Sequence, residues 1–147
     1  MMGKTHFAFG LLIALLLYKF SSFPITIITG IFLLAGALFP DIDHGTSFFG
    51  KKTKILSMIF KHRGFIHSVF MLIIMDLLIW LIKTDIYCIA AFSIGFISHM
   101  ILDFLNPNGL KPFFIGKKIK GNLKAGEWPD LVLFSCFLFI IIFLVLF

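Results

Sequence analysis

Five apolar stretches decide the solvent in which this chain can fold: Phe7 to Phe20, Pro24 to Phe39, Phe65 to Ile82, Ile86 to Leu105 and Leu131 to Phe147. A chain of 147 residues, 60% of them apolar and 21 of them phenylalanine, cannot hide that much apolar surface in a water-soluble core. Hydrocarbon accepts it, provided the backbone amides bond internally, so each stretch reads as a helix. The expected fold class is all-α: a polytopic membrane helical bundle with about five apolar helices, forming a single membrane-embedded helical domain over residues 1–147. The first two stretches are short against the roughly 20 residues that cross a bilayer core, so they extend into their flanks or bury against neighbours. Ser21-Ser22 with Pro24, and Lys83-Thr84-Asp85, mark tight connections and predict two helical hairpins. Gly10, Gly30, Gly36 and Gly95 read as points of close helix packing.

No A-x-A-like cleavage site follows the first stretch, which is therefore read as a mature helix and not as a signal peptide. Cys88 and Cys136 both lie in apolar runs, far apart in sequence, and suggest neither a disulfide framework nor a thiolate zinc site.

Threading the chain across a bilayer puts the N-terminus, the loop 41–64 and the loop 106–130 on one side. Of the thirteen Lys and Arg residues, all but Lys19 and Lys83 fall there. The net charge of +6 then reads as topology and attraction to anionic lipid headgroups, with no nucleic-acid partner expected. By the positive-inside rule that side is cytoplasmic, giving a multi-pass protein with its N-terminus inside and its C-terminus outside. The segment Lys54 to Lys61, an apolar stripe with basic ends, predicts a short helix lying in the interface.

Every histidine of the chain falls on that same side. His6, His44, His62, His67 and His99 are joined there by Asp41, Asp43 and Asp103, although these residues span almost a hundred residues of sequence. The spacing of His99 and Asp103, i and i+4, puts imidazole and carboxylate on one helix face. Asp41-Ile42-Asp43-His44 follows Pro40, which ends the second helix and turns three possible ligands into a loop-lined pocket. His62 and His67 flank the break at Gly64, with His67 expected in the first turn of the third helix and Arg63 available to a phosphate oxygen. His6 approaches from the first helix, where neutral imidazole suits zinc or another first-row ion. Taken singly, each has an ordinary reading: an interfacial histidine, a helix-stabilising pair, a topology signal. Together, ionisable groups so near hydrocarbon need pairing or a metal, and metal binding is the favoured reading. Asp76 stands apart in the middle of the third stretch, nine residues beyond His67 and so on roughly the opposite face. It is expected to hydrogen-bond to another helix, or to face a polar cavity or a second copy.

These residues fall into ordered motifs: Thr5-His6-x-x-x-Gly10, Leu38-Phe39-Pro40-Asp41-Ile42-Asp43-His44, His62-Arg63-Gly64-x-x-His67-Ser68, Gly95-x-x-Ser98-His99-x-x-x-Asp103 and Asn106-Pro107-x-Gly109. In that order they resemble the YdjM-like family of inner-membrane proteins, described as metal-dependent hydrolases. That family is in turn remotely similar to the zinc-dependent phospholipases C and single-strand nucleases, helical enzymes with His/Asp-bound zinc. The resemblance covers residues 5 to about 113 and departs from the family at Asn106, where a threonine is common. It implies one to three divalent ions, zinc foremost, held by His6, Asp41, Asp43, His67, His99 and Asp103. It also implies hydrolysis of a phosphoester such as a phospholipid, with metal-bound water as nucleophile. Asp43 would accept its proton, and Arg63, His62 and nearby lysines would serve the phosphate.

Three other readings compete. A lipid-phosphate phosphatase would need Ser-Arg where Ser93-Ile94 stands, which places it low. A metal- or proton-binding transporter would make use of Asp76, although one intramembrane charge is a poor pathway. A non-catalytic structural membrane protein would use the cluster only to fix its fold.

Overall fold

The computed structural model describes residues 1–43, 65–113 and 116–147. Five α-helices account for most of them: α1 (Gly3–Phe20), α2 (Ile27–Leu38), α3 (Val69–Leu81), α4 (Ile86–Phe104) and α5 (Trp128–Leu146). Two short 3-10 turns, Phe39–Asp43 and Phe65–His67, adjoin α2 and α3. The described residues contain no β-strand, only an isolated antiparallel bridge between Leu110 and Ile119. This is the all-helical membrane bundle that the apolar stretches predict.

Local chemistry explains the boundaries. The first helix begins earlier than its apolar run, at Gly3, so Thr5 and His6 are already helical. It ends where Ser21 folds back, its hydroxyl donating to the Leu17 carbonyl at 2.7 Å. The second begins after Thr26, which forms a reciprocal capping box with Thr29. Pro40 has no N–H with which to continue that helix, and the chain tightens into the 3-10 turn. Ser68 caps α3, its hydroxyl accepting from the Met71 amide, and Asp85 caps α4 by accepting from Tyr87. The Ser68 cap corrects one expectation: His67 lies in the 3-10 turn just before α3, not in its first turn. Lys83, at a φ of 55°, supplies the left-handed residue that closes the connection from α3 to α4.

Three of the helices, α1, α4 and α5, are long and apolar enough to cross a membrane, with 18, 19 and 19 residues. At 1.5 Å per residue they reach about 27–29 Å, close to a hydrocarbon core. The other two have 12 and 13 residues and are apolar throughout.

The tightest pairing is between α2 and α4, and glycine makes it possible. A Cβ on Gly36 would collide with the Phe92 carbonyl, and one on Gly95 with the Leu33 carbonyl, so the two backbones are in contact. A Cβ on Gly10 would lie 2.8 Å from that of Ala37, fixing α1 against α2. Gly30 has nothing within 4 Å and is not a packing point, contrary to the sequence expectation. Leu72, Phe92, Phe96, Met100 and Leu110 fill the core on the α3 side of α4. On the far flank α1 meets α5 through Leu12, Ile141 and Leu144.

Contacts fix the directions. Thr5 at the start of α1 meets Asp130 at the start of α5, while Ala37 at the end of α2 meets His99 near the end of α4. His67, just before α3, joins the same place. Helices α1, α3 and α5 therefore run away from one end of the bundle, and α2 and α4 run toward it.

Candidate metal centre

Five helix ends converge at that end of the bundle, and the side chains they bring are imidazoles and carboxylates. His6, His67, His99 and Asp103 are each 1% exposed or less. Helix α4 supplies His99 and Asp103 one turn apart, as their spacing requires, with His99 Nε2 3.7 Å from Asp103 Oδ2. The 3-10 turn after α2 brings Asp41, whose Oδ1 lies 3.7 Å from His99 Nε2 and 4.0 Å from His67 Nε2. His67 Nε2 is also 3.6 Å from Asp103 Oδ2. Two groups, His6/His99/Asp103 and Asp41/His67/His99, have ligand atoms within 4.8 Å of one another, spacing that allows each to hold a metal ion.

The two oxygens of Asp103 face different neighbours. Oδ2 faces His67 and His99, whereas Oδ1 lies 3.5 Å from His6 Nε2 and 3.0 Å from the Met1 amino group. His6 stacks on His99 with ring centroids 3.7 Å apart and planes inclined by 12°. Neither nitrogen of His6 makes a hydrogen bond among the described residues.

His99 is the hub. Its Nδ1 lies 2.8 Å from the carbonyl oxygen of Ala37, which can only accept, so Nδ1 carries the proton. In the neutral ring Nε2 then holds a lone pair, and that nitrogen is buried without a hydrogen bond among the described residues, facing Asp41 and Asp103. A lone pair aimed at two carboxylates is unfavourable by itself and favourable around a cation. A backbone carbonyl on the other ring nitrogen is the usual support of a metal-bound histidine. Two imidazoles and two carboxylates suit a first-row divalent ion.

The positions of these ligands depend on residues around them. The Val69 amide donates to the Pro112 carbonyl at 2.7 Å, so the segment after Asn106 holds the chain that carries His67. Asn106, the departure from the family pattern, is 2% exposed and outside the cluster; its side-chain oxygen accepts from the Asn108 amide at 2.9 Å.

Sequence reasoning missed Asp130. It is completely buried in the first turn of α5 and accepts three hydrogen bonds: from Thr5 Oγ1 at 2.8 Å, from the Met2 amide at 3.0 Å and from the Gly126 amide at 2.8 Å. Two of these fix the start of α1, at Met2 and Thr5, just before His6. The available signal was a carboxylate at the start of a membrane helix, directly after Pro129.

Of the other expected site residues, Asp43 ends the 3-10 turn after α2. His44, His62, Arg63 and the expected interfacial helix at 54–61 lie outside the described residues. Asp76 is not part of the cluster; it sits against α4, accepting from Ser93 Oγ at 2.8 Å.

Comparison with known proteins gives the family. The model of the YdjM inner membrane protein family matches residues 1–146. YvsG of Bacillus subtilis (strain 168) is 31% identical over 156 residues, covering 97% of both chains. The inner membrane protein YdjM of Escherichia coli (strain K12) is 38% identical over 86 residues, which are 50% of this chain and 42% of that protein. The inner membrane protein YdjM of Shigella flexneri matches to the same extent. No solved structure matches. The family match over nearly the whole length agrees with the apolar helices, and the chain is a membrane protein belonging to the YdjM inner membrane protein family.

Proposed function

We propose that this protein is a multi-pass, metal-dependent hydrolase of a phosphoester, a phospholipid foremost, with its His/Asp centre at the cytoplasmic face of the inner membrane. The observation that carries this reading is His99, whose Nδ1–H is committed to Ala37 while Nε2 faces Asp41 and Asp103. Asp41, His67, His99 and Asp103 would hold a divalent ion, zinc by the chemistry of the donors, with His6 on the other oxygen of Asp103. Such an ion supplies water made acidic enough to be a nucleophile near neutral pH. Asp43 is assigned to accept a proton, and Arg63 and His62 to serve the phosphate. The eleven basic residues expected on this side support the cytoplasmic orientation.

The test is release of a water-soluble headgroup from mixed phospholipid vesicles by the purified protein, with and without chelator. Chelator-sensitive release that is lost in Asp103→Ala is expected. Release indifferent to chelator, or retained in full by that variant, would remove the hydrolase reading.

One observation favours a second reading, a charge-paired cluster that only fixes the fold. The Met1 amino group, 3.0 Å from Asp103 Oδ1, brings a positive charge of its own. A protein that folds and stays monodisperse without metal, and turns over no lipid or nucleotide ester, would favour that alternative.

A further inference from the structure

The connector between α4 and α5 has a composition and an anchoring that the metal centre does not account for. It carries five lysines, Lys111, Lys117, Lys118, Lys120 and Lys124, all exposed. Its one carboxylate up to the start of α5 is Glu127, already 3.2 Å from Lys124. The other four lysines have no ion-pair partner among the described residues.

This connector is held against the bundle at several points. Leu110 is completely buried in the core and pairs with Ile119 through two backbone hydrogen bonds of 2.9 Å. The Gly121 amide donates to the Asn106 carbonyl, and the Leu123 amide to that of Leu105, tying the returning strand of chain to the end of α4. Gly121 itself sits against the Leu105 backbone, where a Cβ would not fit without a shift. The lysines are thereby kept beside the end of α4 and the start of α5, two helices long and apolar enough to cross a membrane.

Large apolar side chains are exposed among them: Phe113 at 61%, Ile119 at 48% and Trp128 at 74%. Aromatic and aliphatic groups interleaved with ammonium groups at the end of membrane helices match the bilayer interface, where the rings enter the acyl boundary and the ammoniums meet phosphate. A zwitterionic headgroup brings its own cation and leaves little net charge to neutralise. An anionic one does not.

We propose that the α4–α5 connector is a recognition surface for anionic phospholipid headgroups, set beside the His/Asp cluster. The proposal concerns binding only and stands whether or not the cluster is catalytic.

The two tryptophans make a paired experiment possible. Trp128 begins α5 within this surface, whereas Trp80 lies near the far end of α3 and is 61% exposed. Trp80→Phe leaves Trp128 as reporter, and Trp128→Phe leaves Trp80. Each full-length variant is reconstituted into vesicles of phosphatidylcholine and phosphatidylglycerol, with either lipid brominated in its acyl chains, and fluorescence quenching is measured. At Trp128 the anionic lipid should be preferred about fivefold. That preference should fall toward unity in about 0.5 M salt and on replacing Lys117, Lys118 and Lys120 with Gln. Trp80 should show none. Equal quenching of Trp128 by the two lipids overturns the proposal, as does a preference that survives both salt and the triple replacement, or an equal preference at Trp80. The salt series on the unreplaced lysines decides the matter even if the triple variant does not fold.

Discussion

The two nitrogens of His99 have different partners, and much of the site follows from that division. With Nδ1–H held by Ala37, the ring has one nitrogen to offer, so the two metal-spaced groups that share it compete for the same lone pair. His99→Ala should therefore lower divalent-metal affinity by more than the ~10–100-fold typical of losing an outer-sphere partner. Titration with a competing chelator measures this; unchanged affinity would remove His99 from the ligand set. Asp130 acts differently, through the first turn of α1. Asp130→Ala strands the Met2 and Gly126 amides and the Thr5 hydroxyl, which should cost about 1–3 kcal/mol of stability. Asp130→Asn should cost distinctly less, because its oxygen can take both amides while its NH2 turns to the Thr5 hydroxyl. Unfolding of both variants in the same detergent checks the order, and equal losses would contradict it.

At the scale of helices, contact between α2 and α4 is what carries Asp41 to His99. Gly36 and Gly95 give that contact its closeness, so Gly95→Leu should push the helices apart, destabilise the protein by at least about 1–3 kcal/mol and weaken the metal centre with it. Gly30→Ala is the matched control, since the added methyl meets open space; stability should hold or rise by up to about 1 kcal/mol. Thermal melts of the two variants separate packing from helix propensity. The same elements show what was legible in sequence. Apolar periods and turn residues placed all five helices, and the His99/Asp103 spacing put both groups on one face. The start of α3 was misplaced because Phe65 and Ile66 extend the apolar pattern back across His67 and Ser68, while the actual boundary is set by the Ser68 hydroxyl, which caps the helix. Gly30 looked like its packing neighbours because sequence shows that a side chain is absent, not what lies opposite it. Asp130 was overlooked because two of its three partners, Met2 and Thr5, are 128 and 125 residues away in the chain, and only the meeting of α1 with α5 brings them to it.

For the whole molecule, three helices leading away from one end and two returning to it gather chemistry from His6 to Asp130 at a single face. The basic residues of the connector lie at the same end of the bundle as the His/Asp cluster. Topology reporters should accordingly find the N-terminus and the α4–α5 connector in the cytoplasm and the end of α5 outside. The proposed hydrolysis depends on the cluster taking up metal. The most direct measurement is elemental analysis of the protein purified without added metal or chelator, set beside His99→Ala and Asp103→Ala prepared identically. At least one divalent ion per chain, lost in both variants, is the predicted result; a metal-free protein that stays metal-free after zinc is supplied, or variants that retain the full complement, would contradict it.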